Sequence, residues 1–129
     1  MPNPTSTAID QGFIGLGDNE YRDESVKFAG AATLLAGCIM ARDTADGTLV
    51  PFVIGGVTNG NGVPDSVLSE PLVATGAGNL PFRVIISGRV NKSRLVVNAD
   101  GSAVNLTGAH EATLRARAIV PVRVDQIAS

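Results

Sequence analysis

Tryptophan is absent from this chain, and cysteine, histidine and tyrosine occur once each in 129 residues. A lone Cys38 cannot form an intrachain disulfide. Its apolar neighbours Ala36, Gly37, Ile39 and Met40 point to a buried, inert thiol. A lone His110 leaves no histidine pair for a metal centre, and most catalysis needs clustered titratable groups held at working distance. The few aromatics argue against a stacking platform for sugars. No apolar run is long enough to span a membrane. The first residues lack a basic stretch followed by an apolar one, so no secretory signal is expected. The acceptor patterns at Asn91 and Asn105 then carry no weight. A soluble protein made in a reducing cytosol is the expectation.

The remaining chemistry candidates fail one by one. His110-Glu111 begins like a zinc-protease helix, but position 114 is Leu where the second His belongs. Asp43, Asp46 and Gly47 have the start of a calcium loop without its later ligands or closing Glu, so a turn is expected. Ser66, Ser69 and Ser87 lie in no nucleophile-elbow motif. The Gly-rich stretch 55–65 lacks the Lys-Ser/Thr of a phosphate-binding loop and is read as a surface loop. Its Asn59-Gly60-Asn61-Gly62 tip is expected to tolerate insertions. The chain is therefore read as a non-enzyme with no cofactor and no metal.

What the chain does have is an uneven distribution of charge. The net charge of −2 hides −3 over residues 1–27 and +5 over residues 83–123. An acidic segment and a basic body suit mutual or neighbour-to-neighbour docking. The basic residues are scattered, lack interleaved aromatics and fit no nucleic-acid reader, so no direct nucleic-acid partner is expected. Residues 1–25 sustain no helical or strand period. They are read as an extended arm, mobile until a partner orders it, with a strand packed on its own body as the alternative. Residues 26–129 form the domain.

Within that domain, 34–41 reads as a strand bent at Gly37 and 43–47 as a turn. Residues 49–54 read as the returning strand, placed at an edge by Pro51. Residues 66–74 are short and mixed. The strongest strand is 82–90, with Phe82, Val84 and Ile86 on one face and Arg83, Ile85 and Ser87 on the other. Residues 95–97 are a second buried piece before the Asp100-Gly101 turn. Residues 108–117 are the one good helix, capped by Thr107 and supported by Glu111 and Arg115 four apart. A closing strand follows at 119–127. The fold class is α+β and β-rich. The expected body is a small mixed β-barrel or sandwich with one short helix near the C-terminus.

Three stretches carry a resemblance. They are Leu34-Leu-Ala-Gly-Cys-Ile-Met-Ala-Arg-Asp-Thr-Ala-Asp-Gly-Thr-Leu-Val-Pro-Phe, Pro81-Phe-Arg-Val-Ile-Ile-Ser-Gly-Arg-Val-Asn and Leu114-Arg-Ala-Arg-Ala-Ile-Val-Pro-Val. In order and spacing over residues 25–128 the chain resembles the lambda-type phage head decoration, or capsid cement, proteins. Ala118 stands where that family commonly has Gly, just before the last strand. The resemblance implies a virion protein on the outer surface of an expanded capsid, made in the host cytoplasm. It implies a homotrimer that binds the major capsid protein and stabilises the shell against packaged DNA, with an N-terminal arm that orders on binding. The arm's expected capsid contacts are Phe13, Ile14, Leu16, Tyr21 and Arg22. Two other readings stay open: another phage structural module, such as a tail, baseplate or fibre-binding adaptor, and a small ligand-binding barrel using scattered carboxylates and arginines.

Overall fold

The computed structural model describes residues 14–97, 102–103 and 108–122. Five strands close into a barrel in the order β1 (Glu20–Phe28), β4 (Leu49–Pro51), β3 (Ile39–Arg42), β5 (Pro64–Leu68) and β7 (Gly78–Asn91), with β7 returning to pair with β1. A sixth strand, β10 (Ile119–Val122), runs parallel to β7. Two small two-stranded sheets complete the β structure: β2 (Ala32–Leu34) with β6 (Leu72–Ala74), and β8 (Val96–Val97) with β9 (Ser102–Ala103). One helix, α1 (Gly108–Ala116), packs on β5 and β10. The fold is thus β-rich α+β, a barrel with one short helix near the C-terminus, as the sequence predicts.

Strand β7 organises the molecule, and alternation explains how. Val84 faces one hydrophobic cluster and Ile85 the other. The first cluster takes Val26, Leu49, Met40, Leu68 and Val84, one residue from each barrel strand, so it fills the interior. The second takes Ile39, Ala41, Val67 and Ile85 from the outer faces of β3, β5 and β7. Phe52, Leu114 and Ile119 cover them. Stretches buried on both faces read as short continuous apolar runs, which is why Val84-Ile85 and 39–41 stand out in the sequence.

Several expectations are corrected. The boundary expected between residues 25 and 26 falls inside β1. Residues 20–28 pair with β7 along their whole length, from Glu20 opposite Ser87 to Phe28 opposite Gly78. The pairing continues toward the N-terminus: Leu16 N–H donates to Arg89 O at 3.1 Å and Asn91 N–H to Ile14 O at 2.7 Å. For residues 14–25 the packed-strand alternative is the observed one; residues 1–13 lie outside the described residues. Pro51 is not on an edge strand, since β4 lies between β1 and β3. Phe52 N–H donates to Ile39 O, so by alternation the Pro51 nitrogen faces β1, where the ladder ends at Val26–Leu49. The stretch 34–41 is two strands, because the chain turns at Gly37. That residue has φ +89, and a Cβ there would collide with the Arg94 carbonyl. Residues 64–68, read as loop and mixed chain, form the wholly buried β5.

The turn between α1 and β10 does form with Ala118, which adopts φ +67. Its carbonyl accepts the Gly88 N–H at 2.7 Å. The loop 52–63 is tied down as well. Thr44 N–H donates to Asn59 O at 2.9 Å and Val53 N–H to Asn61 O at 2.8 Å, so the Asn59–Gly62 tip is more constrained than its composition implies. The Thr107 cap, the Asp100-Gly101 turn and residues 123–127 lie outside the described residues.

Candidate functional site

Two concave surfaces meet near the start of β1, one on each face of the strand. Tyr21 points to the first and Arg22 to the second, as successive strand residues must.

The first is a groove of about 540 Å³, walled by Ile14, Gly15, Tyr21, Ala36, Ser69, Glu70 and Arg83. The Arg83 guanidinium lies 6.0 Å from the centroid of the Tyr21 ring, within cation–π range. Arg83 also approaches Asp23 at 3.9 Å, both side chains being well exposed. Glu70 makes no ion pair with any described residue. Tyr21 is 46% exposed.

The second is the mouth of the barrel. Along β1 the inward row runs Phe28, Val26, Glu24, Arg22; along β3 it runs Met40, Arg42; along β7 it runs Val84, Ile86. The interior therefore changes from apolar to charged toward this end. Arg42 sits at the centre. It grips Glu24 with both terminal nitrogens, at 2.9 and 3.2 Å, and reaches Asp65 at 3.0 Å and the Gly47 carbonyl at 2.9 Å. Arg117 reaches Asp65 at 2.8 Å. Arg22 stands 3.5 Å from Glu24. The Arg42 guanidinium, with Arg22 beside it, holds the Glu24 carboxyl below the usual carboxylate range despite partial burial. Glu24 in turn raises the Arg42 pKa. A cleft of about 500 Å³ opens between Arg22, Arg42, Asp65, Ile86, Ala116 and Arg117.

The other candidate groups have structural partners. Lys27 Nζ bridges Asp43 at 2.7 Å and Asp46 at 2.8 Å, while the two carboxylates accept the Ala45 and Thr48 N–H groups and close the 43–47 turn. Glu111 binds Lys92 at 2.7 Å and Arg115 at 3.4 Å, and His110 stands edge-on to Phe52 with ring centroids 5.3 Å apart. Burial pushes the Cys38 thiol up to about 12, so it stays protonated, as its apolar neighbours predict. Among the described residues no group of three or more His, Cys, Asp or Glu could hold a metal ion. None of their helices is long and apolar enough to cross a membrane.

The predicted contact residues are divided by this geometry. Phe13 lies outside the described residues. Ile14 is buried in the outer cluster and reaches the surface only as groove wall. Leu16 is half-buried, with its N–H spent on Arg89. Tyr21 is in the groove and Arg22 at the mouth. Sequence reasoning missed Arg42, Asp65 and Arg117, which come from three separate elements.

The model of the family described as bacteriophage lambda head decoration protein D matches residues 5–119. The chain belongs to that family. A comparison with curated protein sequences gives no match. Head decoration proteins are structural components of the phage capsid rather than enzymes, so membership assigns this chain to the virion and gives it the capsid as binding partner. The matched span contains β1, every other barrel strand and α1, and with them both concave surfaces.

Proposed function

We propose that this decoration protein is a cement for the expanded phage head. It sits on the outer surface as a homotrimer bound to the major capsid protein, and it stabilises the shell against internal DNA pressure. The family match over residues 5–119 carries this reading. The body supports it. A closed barrel leaves few free strand edges and makes a rigid block, suited to bearing load between neighbours. Residues 14–28 are fixed along β7, and Ile14 walls the groove that holds Tyr21. On this reading Phe13, Ile14, Leu16, Tyr21 and Arg22 form the capsid-facing set. Residues 1–13 order on the shell. Three such segments per trimer act together, so modest single contacts give a long-lived clamp.

Light scattering on the free protein and co-sedimentation with expanded, undecorated heads test this. A trimer that binds heads, and that loses binding but not mass when residues 2–13 are deleted, is the expected result. A ring or dimer that ignores heads would favour a tail or baseplate adaptor.

A further inference from the structure

The barrel mouth has a feature that neither fold stability nor the family match requires. Three guanidiniums, Arg22, Arg42 and Arg117, face two carboxylates, Glu24 and Asp65, which leaves one positive charge in excess. The donors are unevenly used. Arg42 alone gives both carboxylates close hydrogen bonds and also binds the Gly47 carbonyl. Among the described residues Arg117 has a single ion-pair contact, to Asp65, and its side chain is 47% exposed. Among the described residues Arg22 has a single ion-pair contact, to Glu24 at 3.5 Å, too long for a good hydrogen bond, and its side chain is 61% exposed. Each guanidinium carries five N–H donors in a planar fork. Two forks with most donors unspent therefore line one cleft, over an apolar floor of Ile86 and Ala116. Mouths of β-barrels are recurrent ligand sites because they are concave and pre-formed.

We propose that the barrel mouth is a receptor for a carboxylate side chain, an Asp or Glu beside an apolar residue, presented by the capsid lattice. This rests on the cement reading above and names the chemistry of one contact within it. The charge balance favours a carboxylate: one excess positive charge matches one carboxylate, and a planar fork matches its two oxygens. The cleft's own Glu24 and Asp65 disfavour a phosphate backbone, which brings successive charges and would need a longer basic track. Ile86 and Ala116 offer the incoming methylenes an apolar contact.

Two variants separate this contact from stability. Arg22→Gln removes an exposed fork. Arg117→Lys keeps a cation for Asp65 but loses the fork. Thermal melts check that each stays folded. In co-sedimentation with undecorated heads, the double variant should bind about ten-fold more weakly than the parent, with a flatter salt dependence. In solution, the peptide Ac-Ala-Ile-Glu-Ile-Ala-NH2 should shift the side-chain Nε–H resonances of Arg22 and Arg117. Its Gln counterpart should not, and inorganic phosphate should do no more than chloride. Equal head binding by parent and double variant would overturn the proposal, as would equal shifts with the Glu and Gln peptides or a stronger response to phosphate. A double variant with altered mass in the absence of heads would reassign the mouth to contacts between copies of this chain. If the parent itself fails to bind heads, the cement reading falls, and the peptide arm still judges the cleft.

Discussion

Residues 14–28 and residues 52–63 invert what their compositions suggest. The first segment is polar and carries Asp18, Glu20, Arg22, Asp23, Glu24 and Lys27, yet it is zipped along the longest strand of the fold. The second carries no charge and has four aliphatics, Val53, Ile54, Val57 and Val63, yet it runs over the surface with all four exposed. Hydropathy alone misplaces both. The first is held by ladder hydrogen bonds and by ion pairs such as Asp18–Arg89 and Glu24–Arg42, with only Ile14, Val26 and Phe28 buried. The second is anchored by Phe52 in the outer cluster and held beyond it by turn hydrogen bonds, so its four aliphatic side chains are not needed for packing. Pairing partners far off in sequence decide the first case, and backbone turns the second.

Five tests bear on that contrast, from the largest expected effect to the smallest. Gly88 has φ +99, and a Cβ there would meet Asp18 O at 2.7 Å and Asn19 Cα at 2.9 Å. Gly88→Ala should cost about 3 kcal/mol in urea unfolding and open the seam at residues 14–19 to hydrogen exchange. Val26→Ala, in the sealed interior, should cost about 2 kcal/mol. Val57→Ser, at a side chain 94% exposed, should stay within about 0.5 kcal/mol. If the two valines cost the same, the contrast is wrong. A four-residue insertion after Asn61 should lower the Tm by several degrees, since it splits the turn that Val63 N–H closes on the Gly60 carbonyl. The same insertion after Val57, whose own backbone makes none of these bonds and whose side chain is 94% exposed, should lower it less.

The fourth test is pH. Glu24, Asp43 and Asp46 all have carboxyls held below their ordinary values, chiefly by hydrogen bonds from Arg42 or Lys27. The folded state then binds fewer protons than the unfolded one. This stabilisation is complete above the ordinary carboxylate range, about pH 4, and is lost as pH falls through the depressed folded values. The urea midpoint should fall below about pH 4, and Asp46→Asn should flatten that fall. Lys27, raised by the same two aspartates, acts at the other end, and its part is lost as pH rises through its folded pKa above 10.5. The smallest effect is at Ala118. Its φ of +67 suits glycine, so Ala118→Gly should raise stability by about 0.5 kcal/mol, and a loss would mean that the methyl packs usefully.

Much of the fold was legible because period and composition agreed. Strand β7 alternates between two cores and shows it, and α1 carries its Glu111–Arg115 pair in plain sequence. Strand β5 was not legible. Pro64, Asp65 and Ser66 are turn residues by habit, but here Pro64 opens a strand, where its missing N–H does little harm, and Asp65 is neutralised by two arginines from β3 and the end of α1. Half of the candidate surface was legible: Tyr21 and Arg22 were singled out from the arm's few large side chains. The rest of the mouth was not, because Arg42, Asp65 and Arg117 become neighbours only when the barrel closes.

The seam between β1 and β7 also has a mechanical reading. The two strands run antiparallel, with their hydrogen bonds crossing at right angles to both, and all nine residues of β1 have a partner. A pull on the N-terminal side, directed along β1, loads that ladder in shear, so the bonds share the force rather than parting one at a time. A pull perpendicular to the strands would unzip them in sequence from Glu20. The body is therefore anisotropic, stiff along β1 and compliant across it.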